Sequence, residues 1–440
     1  MRFVHKTKKE EGIPVLRCGG GRGDRESLRA QINRLGYALK ETCQFDVDAF
    51  AAEQFGDSAE KAAGFFTEAL LQGAYRFGKQ ALGPGASESL FELRDSLAAE
   101  PDVTVYLISS QEIEAETEKA LRLGRCRNYA RMLGDLPANY LTADDFCRYA
   151  EKLVREKPAL SLKIYRDSEL AEMGSGGILA VNQASQTPAA LLHLHYEGRQ
   201  DAPSTALVGK GILFDSGGMH LKSMDGMEGM KYDMCGAADV LCLLEYAADT
   251  AYDFPLEGVI PLAENALGEK CVRMGDVITM LSGKTVEVYN TDAEGRLLLA
   301  DALTFAAGRA HRLVDIATLS CSCREALGDE MVGYFCSEEG MAGDTARAAA
   351  ESGEPVWRLP LGERYRQQLL WPKTADMANY MPDKKAGASV AACFLEEFTG
   401  GLPWVHFDMV GPAVLRRDSD RMEWGATGTI FSTVVRLLEI

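Results

Sequence analysis

The sequence predicts an α/β protein, in which a smaller N-terminal α/β domain precedes a doubly wound, mainly parallel sheet with helices on both faces. Two observations predict this class. Short apolar runs alternate with segments of strong helix formers along most of the 440 residues. Asp215 also follows directly after one apolar run, at the position where ligands bind in open α/β sheets.

Residues 1–110 are predicted to form the N-terminal domain. Two segments, 28–39 and 58–82, have the composition of helices, and the hydroxyl of Ser58 can cap the second. Residues 103–108 form a short apolar run with β-branched and aromatic side chains, which is typical of a strand. None of the motifs described below lies in this region.

Residues 111–137 are predicted to form a linker helix. Residues 112–133 are rich in Glu, Ala, Leu and Arg, which are good helix formers. Pro137 then interrupts the pattern, and Thr142 can cap the helix that follows.

Residues 138–440 are predicted to form the larger domain, because strand-like and helix-like segments alternate through it. The predicted strands are 161–165, 189–196, 206–214, 256–261, 286–289, 313–317 and 404–409. The main predicted helices are 236–248, 297–308 and 388–398.

Composition excludes several classes of function. A hydrophobic content of 46% with 25% charged residues is typical of a soluble globular protein. The formal charge of −18 makes a nucleic-acid partner improbable, because phosphate contacts need clustered cations. We find no export signal and no run that could span a bilayer, so we expect a cytoplasmic protein with no membrane partner. The 11 scattered cysteines are therefore expected to be reduced.

The chemistry is most evident in residues 290–297, Asn-Thr-Asp-Ala-Glu-Gly-Arg-Leu. In an extended segment, Asp292 and Glu294 point the same way and can converge on one cation. Without positive charge between them, their repulsion would raise the pKa of one carboxyl. The pair alone is a weak signal, but further acids and lysines lie upstream.

The upstream residues lie in two segments. Lys210 interrupts an otherwise apolar strand pattern, which is anomalous for a central parallel strand. Asp215 ends that run, Lys222 follows, and Asp233 precedes a helix-like segment. Taken singly, each of these residues is more often a surface charge or a helix cap.

Taken together, these segments resemble the leucyl aminopeptidase family of cytosolic dinuclear metallopeptidases. The resemblance rests on residues 290–297, residues 209–218 (Gly-Lys-Gly-Ile-Leu-Phe-Asp-Ser-Gly-Gly), Lys222 and residues 233–238 (Asp-Met-Cys-Gly-Ala-Ala). Their order and separations match the family, and the similarity extends over most of residues 135–440. It implies that residues 138–440 are the catalytic domain.

The resemblance implies a set of ligands for two divalent metal ions, namely Lys210, Asp215, Asp233, Asp292 and Glu294. Carboxylates suit Zn²⁺ and Mn²⁺, with Mg²⁺ and Co²⁺ as alternatives. In the family pattern Asp215 and Glu294 are shared ligands, and Asp292 adds a main-chain carbonyl. Lys210 would coordinate as a neutral amine, which requires burial next to a dication.

The resemblance also implies a metal-dependent aminopeptidase that releases unblocked N-terminal residues, leucine-like ones preferentially. A water bridging the metals would attack the scissile carbonyl, and the free α-amine of the peptide would bind one metal. Lys222 would stabilise the oxyanion, and Arg296 would hold a bicarbonate that acts as general base. Met230 and Thr318 match positions that line the substrate pocket, although both also fit ordinary core roles. The family forms hexamers, so we expect a homohexamer.

Three other hypotheses remain open from the sequence. A related dinuclear dipeptidase of the Cys-Gly type would share the chemistry and differ in its pocket. A DNA-binding regulatory member of the family is a second alternative, which the acidic balance opposes. A lyase that uses Lys210 as a Schiff base is a third, and the surrounding carboxylates oppose it because they keep the lysine charged. His220, two residues before Lys222, is interpreted as a structural residue.

Overall fold

The computed structural model describes residues 1–19, 23–199, 202–383 and 385–439. The N-terminal region holds a four-stranded parallel sheet with helices beside it. Its elements are β1 (Arg2–Lys6), β2 (Val15–Leu16), α1 (Arg25–Ala38), β3 (Cys43–Asp46), α2 (Val47–Phe50), α3 (Ala59–Ala74), β4 (Arg76–Phe77), α4 (Leu90–Leu97), β5 (Ala98–Ala99) and β6 (Thr104–Ile108). The strand order of the sheet is β1-β6-β3-β2.

The predicted helices and strand of this region are present, and the largest difference is the length of the second helix. The hydroxyl of Ser58 accepts a hydrogen bond from the amide of Lys61 and caps α3 as predicted. The helix ends at Ala74 instead of continuing to residue 82, because Arg76 and Phe77 pair with β5 in a small antiparallel ladder. That pairing is a tertiary contact, which local helix propensity does not reveal.

The predicted linker is a 22-residue helix, α5 (Glu114–Asp135), and it is buried between neighbours on two sides. It packs against α3 of the N-terminal region and against a helix of the larger region, α10, defined below. Arg131 donates hydrogen bonds to the carbonyls of Gln72 (2.6 Å) and Ala426 (2.7 Å). Gln72 precedes α5 in the sequence, and Ala426 follows it. The domain limits at residues 110 and 137 stay a prediction.

The larger region contains the remaining elements. The helices are α6 (Ala143–Glu156), α7 (Asp167–Met173), α8 (Gly176–Asn182), α9 (Met224–Met227), α10 (Cys235–Thr250), α11 (Gly295–Ala307), α12 (Cys321–Leu327), α13 (Glu339–Ser352), α14 (Glu363–Arg366), α15 (Gly387–Glu396) and α16 (Phe431–Leu438). The strands are β7 (Leu160–Arg166), β8 (Ala190–Tyr196), β9 (Thr205–Gly209), β10 (Gly211–Asp215), β11 (Leu256–Asn265), β12 (Val277–Thr279), β13 (Thr285–Glu287), β14 (Arg312–Ala317), β15 (Val332–Cys336), β16 (Val356–Arg358), β17 (Met377–Ala378), β18 (Trp404–Asp408), β19 (Val414–Leu415) and β20 (Gly425–Ala426).

The main sheet has the strand order β16-β15-β18-β14-β9-β11-β8-β7, and β10 also pairs with β11. Its centre, from β18 to β11, is parallel as predicted, whereas β8, β15 and β16 run in the opposite direction. Helices α10 and α11 cover opposite faces of the main sheet. The side chains of β9 show this, since alternate residues of a strand point to opposite sides. Leu207 packs in the core on the α10 side, and Ala206 and Val208 pack in the core on the α11 side.

Two predicted strands differ from the structure. Residues 206–214 form two strands, and the break falls at Lys210, whose amide donates to the carbonyl of Ile316 (3.0 Å) while its carbonyl accepts from the amide of Ala237 (2.9 Å). The strand predicted at 286–289 is β13, which belongs to a separate three-stranded sheet of order β12-β13-β17. Within the described residues, no helix is both long and apolar enough to cross a membrane.

Thr142 begins α6 with the predicted cap, and its removal tests that assignment. Its hydroxyl accepts from the amide of Asp145 (3.3 Å), and the Asp145 carboxylate accepts from the Thr142 amide (2.9 Å). We expect Thr142→Ala to lower the free energy of unfolding by about 1 kcal/mol, because amides of the first turn lose their partner. Urea denaturation measures this change. Thr142→Ser keeps the hydroxyl and should match the parent, and equal stability of Thr142→Ala would refute the cap.

Candidate metal centre

Four carboxylates and two lysines meet at the end of the parallel strands. Each one lies within three residues of the start or the end of a helix or strand. Lys210 lies between β9 and β10, Asp215 ends β10, and Lys222 follows in a loop. Asp233 lies just before α10, and Asp292 and Glu294 lie just before α11. The structure therefore brings together residues that are separated by up to 84 positions, from Lys210 to Glu294.

Lys210 forms one half of the cluster. Its ammonium group lies 2.7 Å from Asp233 Oδ1 and 3.2 Å from Glu294 Oε1. It also donates a hydrogen bond to the main-chain carbonyl of Thr318 (2.9 Å). The side chain is buried, so the anomalous lysine of the strand pattern points into the site.

Lys222 forms the other half. Its ammonium group lies 2.7 Å from Asp215 Oδ2 and 2.6 Å from Asp292 Oδ1. Its side chain is 11% exposed, in contrast to 3% for Lys210. Lys222 is therefore the lysine that a molecule entering from solvent can reach.

The cluster fits a divalent cation on three grounds. Carboxylate oxygens of Asp215, Asp292 and Glu294 lie within 4.8 Å of one another. Asp233 Oδ2 is buried and accepts no hydrogen bond within the described part of the chain. With all four carboxylates ionised, the two ammonium groups leave a net charge of two negative units, and buried charge of this kind needs a counter-ion. Hard or borderline ions such as Mn²⁺, Mg²⁺ and Zn²⁺ accept such ligands.

The same crowding shifts the pKa values of the cluster. Burial raises the pKa of Asp292 to about 6, and the neighbouring Glu294 and Asp215 add to that shift. Burial by itself would lower the pKa of Lys210, but the adjacent carboxylates outweigh it and raise the pKa. The protein groups alone therefore keep Lys210 charged, and only an added cation could displace its proton.

Asn265 supports the cluster and was missed in the sequence. Its side-chain amide donates to Asp215 Oδ1 (2.8 Å) and to the carbonyl of Thr291 (3.1 Å). It thus fixes Asp215 relative to the segment that carries Asp292. The available signal was its position at the end of the apolar run that forms β11.

His220 forms hydrogen bonds that link two segments of the site, and its structural role stays a prediction. Its Nδ1 accepts a hydrogen bond from the amide of Thr291 (3.1 Å), and its own amide donates to the Thr291 hydroxyl (2.8 Å). These bonds tie the loop before Lys222 to the segment before Asp292. The imidazole therefore stabilises the site without belonging to the carboxylate cluster.

Arg296 is buried beside the cluster, and its guanidinium group is only partly hydrogen-bonded. Its Nη1 donates to the carbonyl of Asn379 (2.7 Å), whereas its Nε is buried and has no hydrogen-bond partner among the described residues. Burial lowers the pKa of Arg296 to about 10. An oxyanion next to this group would satisfy both the charge and the free donor.

Asn379 is the second supporting residue that sequence reasoning missed. Its side-chain oxygen accepts from the amides of Tyr289 (2.8 Å) and Asn290 (3.2 Å), and its side-chain nitrogen donates to the carbonyl of Asn290 (2.7 Å). With its carbonyl bound to Arg296, Asn379 holds the segment that carries Asp292 and Glu294 in place. The sequence offered only its adjacency to the Thr-Ala-Asp-Met segment at 374–377.

The two residues predicted to line the substrate pocket are both close to Asp233. The hydroxyl of Thr318 donates to Asp233 Oδ1 (2.7 Å), so Thr318 belongs to the Lys210 half of the cluster. Met230 lies three residues before Asp233 in a short 3₁₀ turn and is half-buried. Their assignment to the pocket stays a prediction.

The chain is similar to known proteins over most of its length. The model of the cytosol aminopeptidase family, catalytic domain, matches residues 128–435. The probable cytosol aminopeptidase of Chlorobaculum tepidum is 38% identical over 86% of this chain and 75% of its own length. The corresponding Legionella pneumophila protein is 42% identical over 71% of this chain and 64% of its own length.

Two solved structures are also similar. The bottromycin maturation enzyme BotP in complex with Mn superposes with a TM-score of 0.82 at 29% identity, over 95% of this chain and 88% of that chain. The cytosol aminopeptidase of Coxiella burnetii superposes with a TM-score of 0.80 at 28% identity, over 95% of this chain and 84% of that chain.

Gly295 permits the position of Lys210, and its replacement tests the metal centre. A Cβ at residue 295 would lie 2.3 Å from Lys210 Cε and 2.7 Å from Nζ, so the lysine would have to move. We expect Gly295→Ala to weaken Mn²⁺ binding by about 10- to 100-fold, the usual cost of disturbing groups around metal ligands. Isothermal titration calorimetry measures this change.

The matched control is Gly340→Ala. Gly340 also lies in the first turn of a helix, α13, but a Cβ there would meet no atom within 4 Å. This variant should bind Mn²⁺ like the parent. Parental Mn²⁺ affinity in Gly295→Ala would show that Lys210 does not contribute to the site.

Proposed function

The chain belongs to the cytosol aminopeptidase family and is a metal-dependent aminopeptidase, and we propose that it removes unblocked, leucine-like residues from the N-terminus of peptides at the cluster of Lys210 and Lys222. The single observation that carries this proposal is the convergence of four carboxylates with these two lysines. A cluster of this composition has the ligands for a pair of dications and a separate cation for the substrate. The details of residue roles that follow are part of the proposal.

Five residues would hold the metal ions, and their side chains fit that task. They are Lys210, Asp215, Asp233, Asp292 and Glu294. When bound, two Zn²⁺ or Mn²⁺ ions supply Lewis acidity that polarises the scissile carbonyl and makes water nucleophilic near neutral pH. Mg²⁺ and Co²⁺ accept the same ligands.

Lys222 stabilises the oxyanion that forms when the scissile carbonyl is attacked. Asp215, Glu294 and Asp292 outweigh the effect of burial and raise the pKa of Lys222, so the group remains an ammonium at neutral pH. Its contacts to Asp215 and Asp292 fix the ammonium before substrate arrives. A fixed cation of this kind acts on charge that develops only in the transition state.

Arg296 positions the group that accepts a proton from the attacking water. Its unpaired Nε and its planar guanidinium suit a planar oxyanion such as bicarbonate, which could serve as general base. Asn379 holds one end of the guanidinium and so sets its orientation. No histidine of the described chain is needed for this step.

The Lys210 half of the cluster faces the first residue of the peptide. Thr318 and Met230, next to Asp233, would line the pocket for its side chain, and a half-buried methionine favours a leucine-like group. The site would recognise the free α-amine of the peptide, so only peptides with an unblocked N-terminus are cleaved. A cytoplasmic location and a homohexameric assembly complete the proposal, and native mass spectrometry would test the assembly.

Hydrolysis of L-leucinamide tests the function directly. We expect complete chelation to abolish hydrolysis and added Mn²⁺ or Zn²⁺ to restore it, because the carboxylate cluster needs its counter-ions. N-acetyl-L-leucinamide should remain uncut, since its amine is blocked. Release of leucine and of ammonia provides the readout.

The controls separate the alternatives. Comparison of aminoacyl amides with dipeptides, Cys-Gly among them, distinguishes an aminopeptidase from a dipeptidase. Cleavage of the acetylated substrate at the rate of the free one would contradict the role of the α-amine. Hydrolysis that persists after all divalent metal has been removed would contradict the proposed function.

Lys222→Ala tests the oxyanion role separately. We expect kcat to fall roughly 10²- to 10³-fold, as when a single oxyanion donor is lost, while bound Mn²⁺ stays at the parental level. Steady-state kinetics and metal analysis provide the two readouts. Lys163→Ala is the matched control, because Lys163 is an exposed lysine on β7. Turnover of Lys222→Ala at the parental rate would remove Lys222 from the mechanism.

A further inference from the structure

A thiol and two carboxylates converge near the C-terminal end of α10, away from the carboxylate cluster. Ligand atoms of Cys126, Glu245 and Asp249 lie within 4.8 Å of one another. Cys126 lies on α5, whereas the other two residues lie on α10. Glu245 comes ten residues after Cys235, the first residue of α10, and this separation corresponds to about 15 Å along the helix axis. The three residues therefore form a separate group, which we call the thiol cluster.

Helix geometry accounts for this convergence. Glu245 and Asp249 are four residues apart, so both side chains project from one face of α10. Helices α5 and α10 pack against each other, and Cys126 is buried in the same core at 2% exposure. Two packed helices thus hold all three donors, and no loop is involved.

One carboxylate oxygen of the thiol cluster is buried without a partner. Glu245 is 1% exposed, and its Oε1 accepts a hydrogen bond from Arg94 Nη1 (2.8 Å). Its Oε2 is buried and accepts no hydrogen bond from the residues that the structure describes. A buried carboxylate oxygen of this kind is costly, and a cation bound to it would offset the cost. Glu245 can therefore bind an ion in addition to Arg94.

Asp249 connects the thiol cluster to solvent. Its side chain is 26% exposed, and its Oδ1 pairs with the ammonium group of Lys157. Because this ion pair uses Oδ1, the other carboxylate oxygen can bind an ion while the pair persists. Arg94 and Lys157 balance the two carboxylates, and the charge of an added dication is partly balanced when the thiol loses its proton.

The thiol determines which ion suits the cluster. Burial raises the pKa of Cys126, so its sulfur carries a proton as long as no metal is bound. A dication that binds the sulfur displaces this proton, and the products are a metal thiolate and one H⁺. A thiolate together with carboxylates suits Zn²⁺, whereas Mg²⁺ and Ca²⁺ prefer oxygen ligands alone.

We infer that Cys126, Glu245 and Asp249 bind a Zn²⁺ ion that links α5 to α10, at a site separate from the carboxylate cluster of Lys210 and Lys222. Three protein donors and one water, which can enter at the exposed side of Asp249, provide the tetrahedral coordination that Zn²⁺ prefers. The ion joins the helix that contacts the N-terminal region to the main helix of the larger region. The inference does not depend on the proposed function, because the two clusters share no residue.

Cobalt substitution tests the inference, because Co²⁺ can replace Zn²⁺ and absorbs strongly in the near ultraviolet when a thiolate is bound to it. We expect the Co²⁺-loaded protein to show this absorption and Cys126→Ser to lose it. The carboxylate cluster contains no thiol and should not contribute. Cys147→Ser is the matched control, because Cys147 is another buried cysteine (1% exposed) on a helix, α6, and this variant should keep the parental spectrum. Absence of the absorption in the parent, or its persistence in Cys126→Ser, would overturn the inference.

Asp249→Asn supplies a second variant, whose nearly isosteric change at a half-buried position should leave the fold intact. We expect the affinity of this site for Zn²⁺ to fall at least about 10-fold, since even a change around metal ligands has that effect. Metal analysis after desalting against a zinc chelator should then find one Zn²⁺ fewer per chain than in the parent. Asp344→Asn is the control, because Asp344 is an ion-paired acid on α13, 2.9 Å from Arg347, and it should keep the parental zinc content. Equal zinc content in Asp249→Asn and the parent would refute the site.

Discussion

Electrostatic repulsion among four buried or half-buried carboxylates is the constraint on which this structure depends. Burial raises the pKa of Asp215, Asp233 and Asp292, so these three carboxylates would be more stable in water, and the fold holds them next to Glu294 with only two lysines between them. Such an arrangement stores unfavourable energy that a bound cation relieves. Under the proposed function, the stability of this region would be coupled to metal binding.

A break in regular strand pairing at Lys210 of the main sheet makes that arrangement possible. Lys210 leaves the line of β9, and its backbone groups are satisfied by Ile316 and Ala237, so the break leaves no orphaned amide or carbonyl there. Gly236 lets the start of α10 approach this point, since a Cβ there would lie 2.1 Å from the carbonyl of Ile316. Close backbone contact therefore delivers the lysine to the site.

The sequence predicted the chemical groups better than their surroundings. Lys210 was evident because a charge in an apolar run is rare, and the caps at Ser58 and Thr142 were evident because capping is a local interaction. Asn265 and Asn379 were not, since a single asparagine carries no signal until the fold shows what it binds. The end of α3 at Ala74 and the break at Lys210 likewise depend on partners distant in sequence. The residue roles and the domain limits at 110 and 137 remain predictions.

The burial of α5 has a consequence for how the molecule comes apart. Gly124 of this helix lies against Leu71 of the N-terminal region, and Gly134 lies against Cys235 at the start of α10. A helix packed this closely on both sides belongs to both regions and does not act as a hinge. Removal of the smaller region would therefore expose one side of the larger region to solvent. Because α10 begins two residues after Asp233, a change in this packing would act on the carboxylate cluster within a single helical turn. Under the proposed function, proteolytic cleavage in the smaller region would therefore weaken metal binding at that cluster.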